Sequence, residues 1–292
     1  MKPATFDYVR AESVEQAIEA LVQAGGDGKI LAGGQSLMPM LNFRLLRPSV
    51  LIDINRIPAL DHIEAGSEGV RIGALARHHK VETSAVIRQH FPVITAAMAH
   101  VAHLAIRNRG TIGGSLAHSD PAAELPMLCV LLGARLKVRN REGTRTIDAA
   151  DFHLGALTSA LEDTDLLEEI TLPYLLPGTG WGFEEVARRL GDFAIVAMGA
   201  TVSLKDGRVS EARIAATGVG EAPLRIPAAE KLLAGVTAAD DTLLARVREA
   251  VMDGIAPGSD THVSADYRRH VAGALSRRVV SAAFARAKGQ RP

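Results

Sequence analysis

Val14, Ala17, Ile18 and Leu21 recur at the spacing of a helix with one buried face. Ser13 precedes them and Gln16 follows three residues on, the pair of a capping box, and Gly25-Gly26 closes the run. The flanking pattern is extended. Phe6 to Val9 and Lys29 to Ala32 read as strands, and the continuous apolar run Val50 to Ile54 reads as a strand of the fully buried kind. Strand, helix, strand and strand over residues 1–56 predict a small α/β lobe. A second lobe follows over 57–176. Val70 to Ala74 is a strand, and Glu82 to Gln89 and Phe91 to His103 are helices, the first stopped by Pro92. Leu125 to Leu132 is an apolar helix with Gly133 as its C-cap. Arg135 to Arg139 alternates as a half-exposed strand does, and Leu166 to Leu172 closes the lobe. Pro173 and PYLLPGTG punctuate a linker.

Beyond the linker, strands come first and helices after, which predicts an α+β domain over 177–292. Trp181 to Arg189 and Gly199 to Leu204 are strands, and Asp206-Gly207 turns the chain back along Arg208 to Ala216. Pro227 to Leu233, Leu243 to Met252 and Ala265 to Ala287 are helices, with a basic tail that frays.

Two stretches do not serve a core. KILAGGQSL ends an apolar run in Gly33-Gly34 followed by Gln35 and Ser36, and RNRGTIGGSLAHSDPAAELP sets Gly113-Gly114 between Thr111 and Ser115. Glycines permit positive φ and close approach, and successive N–H groups in such a turn form a concave anion site. Neither stretch is a dinucleotide fingerprint of the G-x-G-x-x-G type or a P-loop. Read singly, each is an ordinary tight connection; together they suit a diphosphate held from two sides.

AGGQSLMPMLNFRL (Ala32 to Leu45) and RGTIGGSLAHSDPAAELP (Arg109 to Pro126) resemble the two flavin-binding signatures of the FAD-binding medium subunit of molybdenum hydroxylases. That family includes subunits of carbon monoxide, aldehyde, nicotine and xanthine dehydrogenases. RRLGDFAIVAMGATV (Arg188 to Val202) resembles the start of its C-terminal domain, so the likeness runs essentially end to end. The resemblance implies an α+β chain. Its parts are a two-lobed FAD-binding domain of the p-cresol methylhydroxylase / vanillyl-alcohol oxidase type over 1–176 and a carbon monoxide dehydrogenase flavoprotein-type domain over 177–292. It implies FAD bound by the backbone amides of Ala32, Gly33, Gly34, Gln35, Ser36 and Leu37, and by those of Thr111 to Ser115, including Gly113 and Gly114. Ser36 and Thr111 would add hydroxyls. Gln35 stands where relatives often carry His, so no titrating role is expected there.

Lys29 is a phosphate neighbour by similarity and a solvated strand end on its residues alone. Glu124 aligns with an acid that contacts ribityl or ribose hydroxyls. Asp120 reads equally as a ligand or as a turn acid before Pro121, and His118 as facing the flavin or bonded within its own loop. Leu166, Leu167 and Phe193 are core residues by composition. By similarity Leu167 and Phe193 border the isoalloxazine, and Phe193, where some relatives place Tyr, would govern access to the N5 edge. The resemblance further implies a large molybdopterin subunit and a small subunit with two [2Fe–2S] clusters, joined with this chain in a heterotrimer or a doubled heterotrimer. Electrons would pass from the clusters through FAD to an external acceptor, with no catalytic side chain on this chain. A self-contained flavin oxidoreductase and a non-enzymatic nucleotide-binding protein remain the alternatives.

Composition narrows this in three ways. Lys plus Arg and Asp plus Glu both number 33, so no electrostatic case arises for nucleic acid or an anionic membrane. The one cysteine, Cys129 in an apolar run, cannot hold an iron–sulfur cluster, which needs several thiolates. MKPATFDYVRAES has no apolar leader segment, and Pro92 to Ile106 is short for a bilayer span, so a soluble, cytoplasmic chain is expected. His100 and His103 lie one helical turn apart without an evident third metal ligand, so they read as packing or capping residues. His78-His79 reads as an exposed pair.

Overall fold

The computed structural model describes residues 2–290. The first lobe is β1 (Asp7–Arg10), α1 (Val14–Gln23), β2 (Gly28–Leu31), α2 (Leu37–Asn42) and β3 (Val50–Asp53), its strands forming a parallel sheet in the order β1-β3-β2. The α1 cap works in both directions: Ser13 Oγ accepts from Gln16 N at 3.2 Å, and Gln16 Oε1 accepts from Glu12 N at 2.9 Å. The short α2 is not expected from the sequence pattern. Pro39 lies in its first turn, where a missing N–H costs nothing.

The second lobe begins with β4 (Ile63–Ala65), β5 (Gly69–Gly73), α3 (His78–Thr83), α4 (Ala85–His90), α5 (Pro92–Met98), α6 (Leu104–Arg107), α7 (Ile112–His118) and α8 (Glu124–Leu132). It continues with β6 (Arg135–Asn140), β7 (Gly143–Asp148), α9 (Ala149–Phe152), the small hairpin β8 (His153–Gly155) and β9 (Thr158–Ser159), and β10 (Leu166–Pro173). The main sheet is antiparallel in the order β4-β5-β10-β6-β7. Three expectations change here. The helix expected over 82–89 is two helices broken at Ser84, whose hydroxyl caps α4 by accepting from Ile87 N. The helix expected to reach His103 stops at Met98, and Ala102 takes φ 46°. The second glycine stretch is a helix, α7, rather than a loop, and its one left-handed residue is Ser119 at the C-cap, not a glycine.

The C-terminal part is an antiparallel sheet, β11 (Gly180–Ala187), β12 (Ala194–Lys205), β13 (Arg208–Thr217) and β14 (Leu224–Arg225), followed by α10 (Pro227–Leu233), α11 (Asp241–Asp253) and α12 (Ala265–Ala287). Asp206 and Gly207 both take positive φ, the form a two-residue hairpin prefers. β12 starts earlier than its expected Gly199 and is buried on both faces over most of its length. One cover is α12. A Cβ at Gly182 would stand 2.1 Å from the Val279 carbonyl, so only glycine lets the helix lie this close. The other cover is α8, whose nine residues are all buried. Leu125, Met127 and Leu131 of α8 share one apolar core with Ala194, Ala197 and Ala215 of the C-terminal sheet. The α8 helix is therefore the beam between the two parts, and Gly133 ends it in the left-handed conformation at φ 68°.

Candidate functional site

At the carboxyl edge of the parallel sheet the chain leaves β2 through residues 32–36 and leaves β3 through Asp53-Ile54-Asn55. In open sheets of this kind ligands gather outside the strand ends. A cleft of about 540 Å³ opens there, lined among others by Ala32, Gly33, Gly34, Gln35, Asn55 and Arg109. Gly34 has φ +72°, a conformation that favours glycine. Among the described residues, the main-chain N–H groups of Ala32 to Leu37 have no hydrogen-bond partner. Six consecutive free donors in a turn leading into α2 make the concave arrangement that suits phosphate oxygens.

The second glycine stretch behaves differently. Ile112 N donates to Ala76 O at 3.0 Å, Gly113 N to Ala74 O at 2.9 Å and Ser115 N to Thr111 O at 3.0 Å. Gly114 N donates to the Thr111 hydroxyl at 3.1 Å. The expected cradle of amides over 111–115 is thus already paired within the chain, apart from the Thr111 N–H, which has no partner among the described residues. The glycines serve internal packing: a Cβ at Gly113 would lie 2.5 Å from Ala74 Cβ and 2.6 Å from its carbonyl oxygen. The two stretches do converge. A Cβ on Gly33 would stand 2.3 Å from the Arg109 carbonyl oxygen and 2.8 Å from Gly110 Cα.

A polar network absent from the sequence reading braces this junction. Asn55 Nδ2 donates to Ala32 O at 2.8 Å and to Asp53 Oδ1 at 2.7 Å. Arg77 donates through Nη2 to Asn55 Oδ1 at 2.6 Å and through Nη1 to the Arg109 carbonyl. Gln35 Nε2 donates to Gly33 O at 2.9 Å. His78, read from sequence as exposed, is buried beneath the second stretch, where its Nε2 donates to Thr111 O at 3.0 Å. Burial pushes its pKa down to about 4, so the ring is neutral at pH 7. The sequence signal for this set was the polar pair Asp53 and Asn55 at the end of a buried strand. Arg77 and His78 lie at the start of a short helix and carried no such signal.

His78→Ala is expected to lower unfolding stability by ~2–3 kcal/mol at pH 7, from a lost bond and a cavity beside Gly110. An exposed histidine would change the urea midpoint negligibly.

The remaining candidates are dispersed. Lys29 lies within β2, one turn of chain before the first loop, and Ser36 precedes α2 without capping it through its hydroxyl. Asp120 acts as a turn acid, accepting from Ala122 N at 2.9 Å. The adjoining Pro121 carbonyl accepts from Gly218 N at 2.8 Å and from the Thr217 hydroxyl at 2.7 Å, tying this turn to β13. His118 ends α7, half-buried. Leu167 is core on β10, whereas Phe193, expected as core by composition, is 63% exposed just before β12. Glu124 is not at the cleft lining. It is buried at the start of α8 beside Glu185 of β11, and burial raises the pKa of both carboxyls. His100 Nδ1 lies 3.9 Å from Glu185 Oε1.

An open cleft walled by unpaired main-chain donors and an arginine, on a two-lobed mixed α/β scaffold, defines a binder of a phosphate-bearing cofactor. Residues 4–175 match the family described as FAD binding domain in molybdopterin dehydrogenase, and residues 181–283 match the CO dehydrogenase flavoprotein C-terminal domain. The chain belongs to this family of FAD-binding medium subunits of molybdenum hydroxylases. It is 43% identical to the 6-hydroxypseudooxynicotine dehydrogenase complex subunit alpha of Paenarthrobacter nicotinovorans, covering 99% of this chain and 97% of that one. It is 38% identical to the caffeine dehydrogenase subunit beta of Pseudomonas sp. strain CBB1, covering 97% and 96%. A solved carbon monoxide dehydrogenase chain from Hydrogenophaga pseudoflava superposes with a TM-score of 0.95 at 36% identity, covering 98% and 99%. Among the described residues no helix is long and apolar enough to cross a membrane.

Proposed function

We propose that this chain is the FAD-binding electron-transfer subunit of a cytoplasmic molybdenum-containing hydroxylase, linking the [2Fe–2S] clusters of a small partner subunit to an external acceptor. The observation that carries this reading is the row of unpaired amides from Ala32 to Leu37 along the cleft. These donors, with the Thr111 N–H and the hydroxyls of Ser36 and Ser115, hold the diphosphate and the groups next to it. Arg109 and Lys29 add positive charge nearby. Phe193, exposed ahead of β12, is free to lie against one face of the ring system, and Leu167 supports that end from the core. FAD, when bound, supplies one- and two-electron redox chemistry. The chain binds and orients it. The two lobes, 1–56 and 57–176, are of the p-cresol methylhydroxylase / vanillyl-alcohol oxidase type, and 177–292 form the C-terminal domain.

A large molybdopterin subunit and a small [2Fe–2S] subunit complete the enzyme, as a heterotrimer or a doubled heterotrimer. Relatives alike end to end carry names with different substrates, among them caffeine and carbon monoxide, which supports placing substrate choice on the large partner. The purified chain is expected to be yellow and to release free FAD on acid precipitation. Mixed anaerobically with an aldehyde and N-heterocycle panel, the FAD-loaded chain alone should keep its visible absorbance, and adding both partners should bleach it. A colourless chain that takes up no FAD would overturn the cofactor assignment. Bleaching of the isolated chain by an organic substrate would instead favour a self-contained oxidoreductase.

A further inference from the structure

In a trans peptide the N–H and the C=O point in opposite directions, so a donor that captures the carbonyl also aims the amide. The described chain contains no cis peptide. At the cleft two consecutive carbonyls in each glycine stretch are captured by donors of this chain. Ala32 O accepts from Asn55 Nδ2, Gly33 O from Gln35 Nε2, Arg109 O from Arg77 Nη1 and Gly110 O from His78 N. The N–H groups that follow these carbonyls at Gly33, Gly34 and Thr111 have no partner among the described residues, while Gly110 N is taken by Ile106 O at 2.7 Å. Two of the four captures belong to one assembly. The Arg77 fork spans from the Arg109 carbonyl of one stretch to Asn55, and Asn55 spans from there to the Ala32 carbonyl of the other. Asp53 anchors the assembly, accepting from the Asn55 side chain and from Asn55 N at 2.8 Å. Tyr8 donates its hydroxyl proton to the other carboxylate oxygen of Asp53.

From this geometry we infer that Asn55 and Arg77 are positioning residues for the cofactor diphosphate: they lock the two glycine stretches together with the Gly33 N–H and the 109–111 segment facing one anion. The inference rests on the FAD reading above. Arg77 acts through its two-armed geometry. It is Arg109, not Arg77, that lines the cleft, and a lysine at position 77 keeps the charge but offers no planar fork to bridge two acceptors.

The test is FAD titration, by calorimetry, of the full-length deflavinated chain as wild type, Asn55→Ala, Arg77→Ala, Arg77→Lys and Asn55→Ala/Arg77→Ala, with the urea unfolding midpoint of each. Each alanine variant is expected to bind FAD about ten-fold or more weakly, the cost of loosening the brace that aims the Gly33 donor and holds the two stretches together beside a charge. Arg77→Lys should resemble Arg77→Ala. The double variant should be no weaker than about three-fold below the weaker single variant, because both changes break one brace. Asn55 is exposed, so Asn55→Ala should keep the wild-type unfolding midpoint and decides the matter if Arg77→Ala fails to fold. Wild-type affinity in Asn55→Ala and Arg77→Ala overturns the inference, and so does full rescue by Arg77→Lys, which would reduce Arg77 to a charge. A wild-type chain that takes up no FAD defeats the cofactor reading itself, a separate outcome.

Discussion

Gly33→Ala is expected to abolish measurable FAD uptake, weakening binding by ~100-fold or more, about 2.7 kcal/mol. The added Cβ would stand 2.3 Å from the Arg109 carbonyl oxygen and 2.8 Å from Gly110 Cα. Both are main-chain atoms, with no rotamer to turn away, so the two stretches must separate, and with them the donors they aim. Overpacking of this kind costs roughly 1–3 kcal/mol of stability, too little to unfold most domains but enough to open the junction. Gly258→Ala is the control, since a Cβ there meets nothing within 4 Å. Calorimetric titration of both variants decides. Wild-type FAD affinity in Gly33→Ala would mean that the convergence of the two stretches does not shape the binding site. Gly114, which the sequence offers as a point of close cofactor approach, is a less informative target. Its Cβ would first meet the hydroxyl of Thr111, 2.8 Å away at the N-cap of the same helix.

Unfolding stability is expected to fall between pH 6.5 and 8 with a slope near one proton, about 1.4 kcal/mol per pH unit. The source is the carboxyl pair between α8 and β11. Glu124 is 6% exposed and the Glu185 side chain 2%, and their burial with Asp120 nearby holds protons on the folded chain, the Glu124 pKa rising to about 8 from an ordinary 4.5. A raised pKa in the folded state means that the folded chain binds more protons than the unfolded one above pH 4.5. This stabilisation is complete below the unfolded value and is lost as pH rises through the folded one. His78 and His153, both pushed by burial down to about 4, act with the opposite sign, but only below their ordinary 6.5. Above pH 6.5 the pair stands alone among these groups. The two carboxyls titrate as a unit, so Glu124→Gln/Glu185→Gln is the variant that should flatten the slope. Urea titrations at several pH values measure it, and an unchanged slope in that variant would show that the pair is ionised in the folded state.

Much of the scaffold could be read locally. The two-way cap at Ser13 and Gln16, the apolar α8 with its Gly133 stop and the Asp206-Gly207 hairpin each depend on residues close in sequence, and local rules describe them. The expectations that changed depend on distant partners. His78 follows a polar arginine and precedes another histidine, which reads as surface. It is buried because the Gly110 to Thr111 segment, far along the chain, is laid over it. Gly113-Gly114 looks like Gly33-Gly34, yet one pair sits in a helix with its amides paired and the other leaves its amides free. The difference arises because Ala74 takes the Gly113 donor and the Thr111 hydroxyl takes that of Gly114. Glu124 lies within a binding signature, but it is buried at the start of α8, with Glu185 of the C-terminal sheet as its carboxyl neighbour.

By itself, the amino-acid sequence determined the strands and helices whose apolar pattern and caps are local, among them α1, β3, α8 and the hairpin at Asp206-Gly207, that a buried helix would follow the second glycine stretch, and that the chain carries no cluster-forming set of thiolates. It also determined the glycines without which neither stretch could approach its neighbours. Only the tertiary structure decided which of the two glycine pairs presents free donors, because a hydrogen bond removes an N–H from a ligand's reach and the acceptor of Gly113, the Ala74 carbonyl, lies far back along the chain. The brace of Asp53, Asn55 and Arg77 arose the same way: a carbonyl is aimed by whatever donor the folded chain brings behind it.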